Sequence, residues 1–488
     1  VYKRQGEGGN LGMTQLGRIE YALTGGRVNT DFVDNVGGVD CSDNEVNIKI
    51  FLNGLVANGD LTVKQRNKIL ESMEDEVGEI VLDDAYCQSE SISVTEQQGT
   101  SLVKEQIRFI HDLEKAGHLD RALEYIPDDE TLLEREKLGK ALTRPELSVL
   151  VAYGKMVLKE ELVHDDIAND DYHAQQLVNY FPTELRRNYS QQMDNHPLRA
   201  EIIATALANQ MVNEMGCNYV TRLQEETGAH VVDIANAYAA SREIFGLGDV
   251  LKSLRELDNE ASTEAQYDMM FYVRRTLRRL SRWLLRNRTG RQCVKALIEL
   301  YQGDVETIKA KLDDMLVPSE VEEHNEMAQA WIEQGISPEI ANYVARLSSL
   351  YSVLDISTVS REKGKSVEQS AKLYYNLGDR LSLHWFLKQI NGQAVDNHWQ
   401  ALARAAFRED LDWQQRQLTG QVLSCSCAPE DLDVMKALDD WIENNEISLH
   451  RWENILNEFK VGSVHEFAKF SVALRELMLL NLNCSANE

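Results

Sequence analysis

The chain has 488 residues, 7 of them proline, and a formal net charge of −28 from 51 Lys and Arg against 79 Asp and Glu. Average proline usage of about 5% would give roughly 24, so this scarcity of helix breakers favours a mainly helical protein. The negative charge opposes a general affinity for nucleic acid or anionic membranes. The sequence has no run of 18 apolar residues, so it predicts no membrane span. Its seven scattered cysteines are typical of a protein in a reducing cytoplasm.

Glycine is concentrated near the beginning of the chain, where residues 1–59 contain 11 of the 28. The first motif is GEGGNLGMTQ, residues 6–15. Its spacing superficially suits a phosphate-binding turn, but such a turn follows a strand and only five residues precede this one. Taken alone, the motif is better interpreted as a plain glycine loop.

The second motif is NVGGVDCSDNE, residues 35–45. It predicts a Gly-Gly turn followed by a helix that begins near Asp43, with Ser42 at the N-cap and acidic residues in the first turn. A capping role explains Ser42 well. The functional alternative is that a hydroxyl at a helix start holds a carboxylate.

The rest of the chain predicts helix after helix, because apolar residues recur at three- and four-residue spacing. One helix is expected to begin after Thr62 and another after Thr143, where Pro145 and Glu146 complete an N-terminal signal. Further long helices are predicted at about 196–215, 229–245, 263–287, 320–334, 338–356, 366–390, 395–422, 429–443 and 448–480. The expected breaks between helices lie at Gly216, Gly246, Gly290, Pro318, Gly335, Gly378 and Gly392.

Two segments contain residues that bind metals elsewhere. Cys425 and Cys427 form a close pair, but no second pair accompanies them. The segment from His164 to His173 collects four aspartates and two histidines, which favours a solvated acidic turn over a cation site. No metal site is therefore predicted.

One basic stripe stands out in this acidic chain. Arg274, Arg278, Arg282 and Arg286 recur every four residues and so share one face of a helix. A nucleotide, effector or nucleic-acid patch is one interpretation. The favoured alternative is that Arg274, Arg278 and Arg282 pair with carboxylates of neighbouring helices, since the arginine fork binds carboxylates well.

Together, the two glycine motifs resemble those of the glutamate dehydrogenase family, where EGAN is followed by NAGGV and a serine seven residues after that asparagine. Here Asn35 and Ser42 keep the seven-residue step, while Gly9 and Val36 replace alanines. LTRPELSVLVAYGKMVL, YFPTELRR and RRLSRWLLRN look like segments of the large NAD-specific bacterial branch. Residues 1–5 do not fit the strand expected at this point.

The resemblance implies oxidative deamination of L-glutamate to 2-oxoglutarate and ammonia, with NAD as the cofactor and a cytoplasmic homo-oligomer as the assembly. It implies that Gly8, Gly9, Asn10 and Asn35 contact NAD and that Ser42 binds the side-chain carboxylate of glutamate. Amide and hydroxyl groups offer the hydrogen bonds that these contacts need. The family's catalytic lysine and aspartate are expected upstream of residue 1, so the chain alone is expected to be inactive.

The predicted fold is mainly α, with the C-terminal end of a Rossmann-like α/β dinucleotide-binding domain followed by a large all-α domain. Residues 1–60 are expected to finish the NAD-binding catalytic domain, 61–120 to pack on it, and 121–488 to form the helical C-terminal domain. Two competing hypotheses remain: a helical scaffold or regulatory domain without catalysis, and a nucleic-acid-binding protein that uses the arginine stripe.

Overall fold

The computed structural model describes residues 3–9, 12–287, 293–395, 397–424, 433–461 and 466–485. The chain divides into two compact units. The first comprises Val1–Ser241 and Tyr267–Lys295, and the second comprises Arg242–Gln266 and Ala296–Glu488. The functional division expected at residues 60 and 120 stays a prediction, because compactness alone does not test it.

The first unit contains the described strands and the helices of the first half of the chain. Its elements are β1 (Arg4–Gln5), α1 (Gln15–Leu23), β2 (Arg27–Val28), α2 (Asp31–Asp34), α3 (Val36–Asn58), α4 (Val63–Ser72), α5 (Glu74–Gln98), α6 (Val103–Lys115), α7 (Asp129–Lys137), α8 (Arg144–His164), α9 (Gln175–Tyr180), α10 (Thr183–Met193), α11 (Arg199–Met215), α12 (Tyr219–Thr227) and most of α13 (Val231–Ile244). Most of α15 (Thr263–Asn287) also belongs to it.

The second unit is helical throughout its described residues. Its helices are α14 (Leu247–Arg255), most of α16 (Val294–Met315), α17 (Pro318–Ile332), α18 (Pro338–Leu350), α19 (Val353–Lys363), α20 (Val367–Arg380), α21 (Leu383–Asn391), α22 (His398–Ser424), α23 (Val434–Asn444), α24 (Glu446–Val461) and α25 (Phe467–Ser485). The mainly α fold predicted from the sequence is therefore confirmed.

Helix starts follow from local hydrogen bonding. The Thr62 hydroxyl accepts from the Gln65 main-chain N–H while the Gln65 side chain returns to Thr62, which forms a capping box at the start of α4. At α8 the main-chain N–H of Thr143 donates to Glu146 Oε2 over 2.6 Å. Each arrangement satisfies N–H groups that a helix start otherwise leaves unpaired, as the sequence predicted.

Some predicted helix boundaries are wrong. The segment 366–390 is two helices, because Ser382 adopts a left-handed conformation with φ of 53° between α20 and α21. Gly378, expected to break a helix, lies inside α20 instead. A Cβ at that position would lie 2.6 Å from Nε2 of Gln415, so a side chain there would have to displace the Gln415 amide.

The two described strands form a short parallel sheet, with Arg4 opposite Arg27 and Gln5 opposite Val28. Residues 4 and 5 therefore form a strand, so the expectation for residues 1–5 fails at these two positions. No described helix is long and apolar enough to cross a membrane.

Candidate functional site

The two glycine motifs follow the two parallel strands. Gly8 and Gly9 come after β1, and Asn35 comes after β2 with the short helix α2 between them. The carboxyl ends of parallel strands meet at one edge of a sheet, which is where open α/β sheets bind ligands. The structure therefore brings the two motifs to the same edge.

A direct contact ties the motifs together. The main-chain N–H of Glu7 donates to Oδ2 of Asp34 over 2.8 Å. The other oxygen of Asp34 accepts from the side-chain amide of Asn29, also over 2.8 Å. Asp34 immediately precedes Asn35, so the glycine loop lies against the segment that leads into α3.

Glu7 anchors the glycine loop to helix α1. Its buried carboxylate forms an ion pair of 3.1 Å with Arg18 of α1, which also pairs with Asp31 of α2 over 3.3 Å. Breaking a buried ion pair is costly because it leaves a buried charge without its partner. The pair of Glu7 with Arg18 therefore holds the glycine loop against α1. Sequence reasoning missed this role, because a glutamate within a glycine run gives no periodic signal of burial.

Gly8 and Gly9 are exposed, and no described protein atom lies within 4 Å of a Cβ built at either position. Neither residue has a positive φ. Neither close packing nor backbone strain within the described residues therefore requires glycine here. Another reason for glycine at these two positions is that it lets the backbone approach a ligand closely. Asn10 lies outside the described residues.

The second motif forms a helix from its first residues, contrary to the predicted turn. Helix α3 begins at Val36, so Asn35 is its N-cap residue and Gly37 and Gly38 lie in its first turn. The prediction that Ser42 caps a helix starting near Asp43 is wrong. The Ser42 hydroxyl is exposed and donates to the main-chain oxygen of Gly38 over 2.9 Å.

The step of seven residues now has a geometric meaning. Seven residues are about two helical turns, so Asn35 and Ser42 lie on the same face of the helix start, roughly 10 Å apart along the axis. A Cβ at Gly38 would lie 2.8 Å from Oδ1 of Asn35. Glycine at 38 thus leaves room for the Asn35 carboxamide.

The opposite face of this helix start is polar and buried. The Asn47 side chain donates to the hydroxyl of Tyr180 over 2.9 Å and lies 3.3 Å from Oδ1 of Asp43. The Tyr180 hydroxyl in turn donates to Oδ2 of Asp43 over 3.0 Å. His196 Nε2 lies 3.1 Å from the main-chain oxygen of Asn47. These contacts fix the rotation of α3 and so the direction of its exposed face.

Asp40 lies on the same helix, two residues before Ser42. Burial, together with the charge of Asp84, raises the pKa of Asp40 to about 7. Lys155 of α8 donates to Oε1 of Gln88 over 2.8 Å, and burial lowers its pKa to about 8. The Asp40 carboxyl can therefore hold a proton near neutral pH. Its spacing from Asn44 and Asn47 on one helix face was the only sequence signal of this polar interior.

The arginine stripe on α15 is partly paired. Arg282 forms an ion pair of 3.2 Å with Glu226, which confirms the prediction for that residue. Arg274 donates to the main-chain oxygen of Asn213 over 3.0 Å. No described residue forms a hydrogen bond or ion pair with Arg278, so the predicted pairing is wrong there.

Metal binding finds no support among the described residues, where no group of three or more His, Cys, Asp or Glu side chains could hold an ion. In the segment from His164 to His173, Asp170 accepts main-chain N–H groups from Tyr172 and His173. The buried His173 ring contacts the Asn236 side chain over 2.9 Å. Cys425 and Cys427 lie outside the described residues.

Comparison with known proteins gives consistent matches. Residues 139–479 match the family "Glutamate dehydrogenase, C-terminal", and residues 2–95 match "Bacterial NAD-glutamate dehydrogenase, catalytic domain". The chain is 41% identical over 473 residues to the NAD-specific glutamate dehydrogenases of Pseudomonas aeruginosa and Halomonas elongata, and 32% identical over 472 residues to that of Mycobacterium tuberculosis. Each match covers 97% of this chain but 29% of the relative.

Proposed function

We propose a function for this chain on the basis that it belongs to the glutamate dehydrogenase family. The chain is proposed to form part of an enzyme that oxidises L-glutamate to 2-oxoglutarate and ammonia with NAD. It spans about 29% of the length of the curated relatives it matches. The activity is therefore proposed for the longer protein that contains these residues. A homo-oligomeric assembly and a cytoplasmic location are proposed on the same family grounds.

The observation that carries this proposal is the meeting of the two motifs at one sheet edge. The contact between Glu7 and Asp34 brings the open backbone of Gly8 and Gly9 next to the segment of Asn35. The exposed glycine backbone suits a cofactor, because a chain without side chains lets a ligand approach its N–H groups. Within the described residues, this open backbone therefore supports the proposal that NAD binds here.

Each residue of the site has a proposed part in binding. NAD, when bound, accepts the hydride from the substrate carbon. Asn35 offers a donor and an acceptor to the nicotinamide end of the cofactor, and Asn10 is proposed to do the same. Ser42 donates its hydroxyl to the side-chain carboxylate of glutamate, two turns farther along the same face. This spacing orders cofactor and substrate along the exposed face of α3.

The reaction is tested by assaying the longer protein with L-glutamate and NAD. We expect equal amounts of NADH and 2-oxoglutarate, measured by absorbance and by chromatography. The 488-residue chain assayed alone should give no turnover, since its described strands are too few and too short for a complete dinucleotide fold. Failure of the longer protein to form 2-oxoglutarate would refute the proposed reaction.

The cofactor contact is tested by Asn35→Ala. Loss of a hydrogen bond should raise KM for NAD about tenfold and leave KM for glutamate within about twofold. Asn58→Ala is a matched control, because Asn58 is an exposed asparagine at the far end of the same helix. Equal KM values for NAD in the two variants would remove Asn35 from the proposed site.

A further inference from the structure

The arginine-rich helix α15 brings Arg278 and Arg282 close to acidic side chains of α6 and α12. Arg222 of α12 and Arg282 of α15 share the carboxylate of Glu226, and Arg222 also pairs with Glu105 of α6. The side chains of Glu226 and Arg282 keep only 6% and 10% of their exposure. The charges of the same two carboxylates also act on Arg278. Three guanidinium groups thus meet two carboxylates in a largely buried setting.

Each oxygen of those two carboxylates already has one donor other than Arg278. Glu226 accepts from Nε of Arg222 over 2.9 Å with one oxygen and lies 3.2 Å from Nη1 of Arg282 with the other. Glu105 accepts from Arg222 and, over 3.2 Å, from the side chain of Asn218. Both acids therefore have a donor on each oxygen before Arg278 is counted.

Arg278 differs from Arg222 and Arg282 in having no ion pair with a described residue. Its guanidinium forms no hydrogen bond or ion pair with another described residue, although this group has five N–H donors. Burial and then the charge of Arg222 lower the pKa of Arg278 to about 10, so it is still charged at neutral pH. The residue keeps some solvent exposure, so a small ion can approach it. Water can solvate the exposed N–H groups of Arg278, and a bound anion would further offset the cost of partly burying the cation.

We propose that Arg278, with Arg222 beside it, binds a small oxyanion, the carboxylate or phosphate group of a metabolite. The planar guanidinium fork matches both groups, and their negative charge complements the neighbouring guanidinium groups. Arg275, exposed on the same helix, adds to the local positive field. A long polyanion is disfavoured by the overall charge of −28. This site shares no residue with the proposed dehydrogenase site and does not depend on it.

The test is calorimetric titration of the 488-residue chain with inorganic phosphate and, separately, with succinate, at constant ionic strength set by chloride. We expect one ion per chain. Arg278→Gln should weaken binding at least about tenfold, because it removes a charge-assisted hydrogen bond. Arg187→Gln, which changes an exposed arginine of α10, should bind as the unchanged chain does.

The outcomes separate the sources of the oxyanion. Binding of phosphate alone assigns the site to a phosphate-bearing ligand, binding of succinate alone assigns it to a carboxylate, and binding of both supports the shared chemistry. Binding of neither ion, or equal binding by Arg278→Gln and the unchanged chain, overturns the proposal. If circular dichroism shows that Arg278→Gln does not fold, Arg278→Lys replaces it. Lysine keeps the charge and loses the fork, so unaltered affinity in that variant also overturns the proposal.

Discussion

Helix α3 of the first unit and helix α21 of the second both bury one face, but they bury different kinds of side chain. In the N-terminal half of α3, the side chains of Asn44 and Asn47 are buried. On α21 the buried Phe386 packs against Trp452 and Phe470, with ring centroids 5.4 and 5.6 Å apart. Apolar packing is tolerant of small rotations, whereas hydrogen bonds are directional.

This difference between apolar packing and hydrogen bonding shows in which unit the orientation of a helix is fixed. The second unit gains stability from a large apolar cluster around Phe386. The start of α3 instead uses hydrogen bonds from Tyr180 and His196, which define one rotation of the helix. The exposed face of that helix start carries Asn35 and Ser42. Directional hydrogen bonds on the buried side of the helix can thus preorganise the proposed binding face on its exposed side.

The largest expected effect is on the apolar side of this comparison. Trp452→Ala removes a buried indole that also donates to the main-chain oxygen of Leu381 over 2.9 Å. The free energy of unfolding, from urea denaturation of the second unit's transition, should fall by about 3–5 kcal/mol. Trp399→Ala, at a side chain with 77% exposure, should change it by less than about 0.5 kcal/mol. Similar losses in both variants would contradict the proposed importance of the cluster.

A smaller effect is expected on the polar side. The pKa of Asp40 is raised from 3.8 to about 7, so the folded chain holds a proton that the unfolded chain releases. This carboxyl therefore makes unfolding easier as pH rises from about 4 to about 7. The charges facing it are Asp84, Asp43 and Lys155.

Asp40→Asn should remove this pH dependence. The decrease in unfolding free energy between pH 5 and pH 8 should become smaller by roughly 1–2 kcal/mol, after allowance for partial exposure. Asp60→Asn, which changes an exposed carboxylate two residues after the end of α3, is the control and should retain the original pH profile. An unchanged profile in Asp40→Asn would show that this carboxyl ionises in the folded chain as it does in the unfolded one.

Helix starts were the part of the fold best predicted from sequence. Thr62 and Thr143 have side chains that satisfy local N–H groups, so their effect is readable within four residues. Gly37 and Gly38 misled the prediction, because glycine costs only about 1 kcal/mol in a helix and packing overrides it. The left-handed Ser382 gave no signal, since serine rarely adopts that conformation.

The candidate site was predictable in its motifs and not in its support. Gly8, Asn35 and Ser42 follow from a spacing that resembles a family. The ion pair of Glu7 with Arg18 and the raised pKa of Asp40 depend on residues from several helices. Contacts between distant segments carry no periodicity, so only the folded structure reveals them.

The role of Ser42 gives the most direct test. In the longer protein, Ser42→Ala should lower kcat/KM for glutamate about 10- to 100-fold, since a hydrogen bond to a charged group contributes roughly 1.5–3 kcal/mol. KM for NAD and the melting temperature should stay nearly constant, because the one hydrogen bond of this hydroxyl within the described residues is to a carbonyl of its own helix. Ser424→Ala is the matched control, as Ser424 is exposed and donates over the same 2.9 Å to the carbonyl four residues earlier. Unchanged kinetics for glutamate in Ser42→Ala would contradict the substrate role.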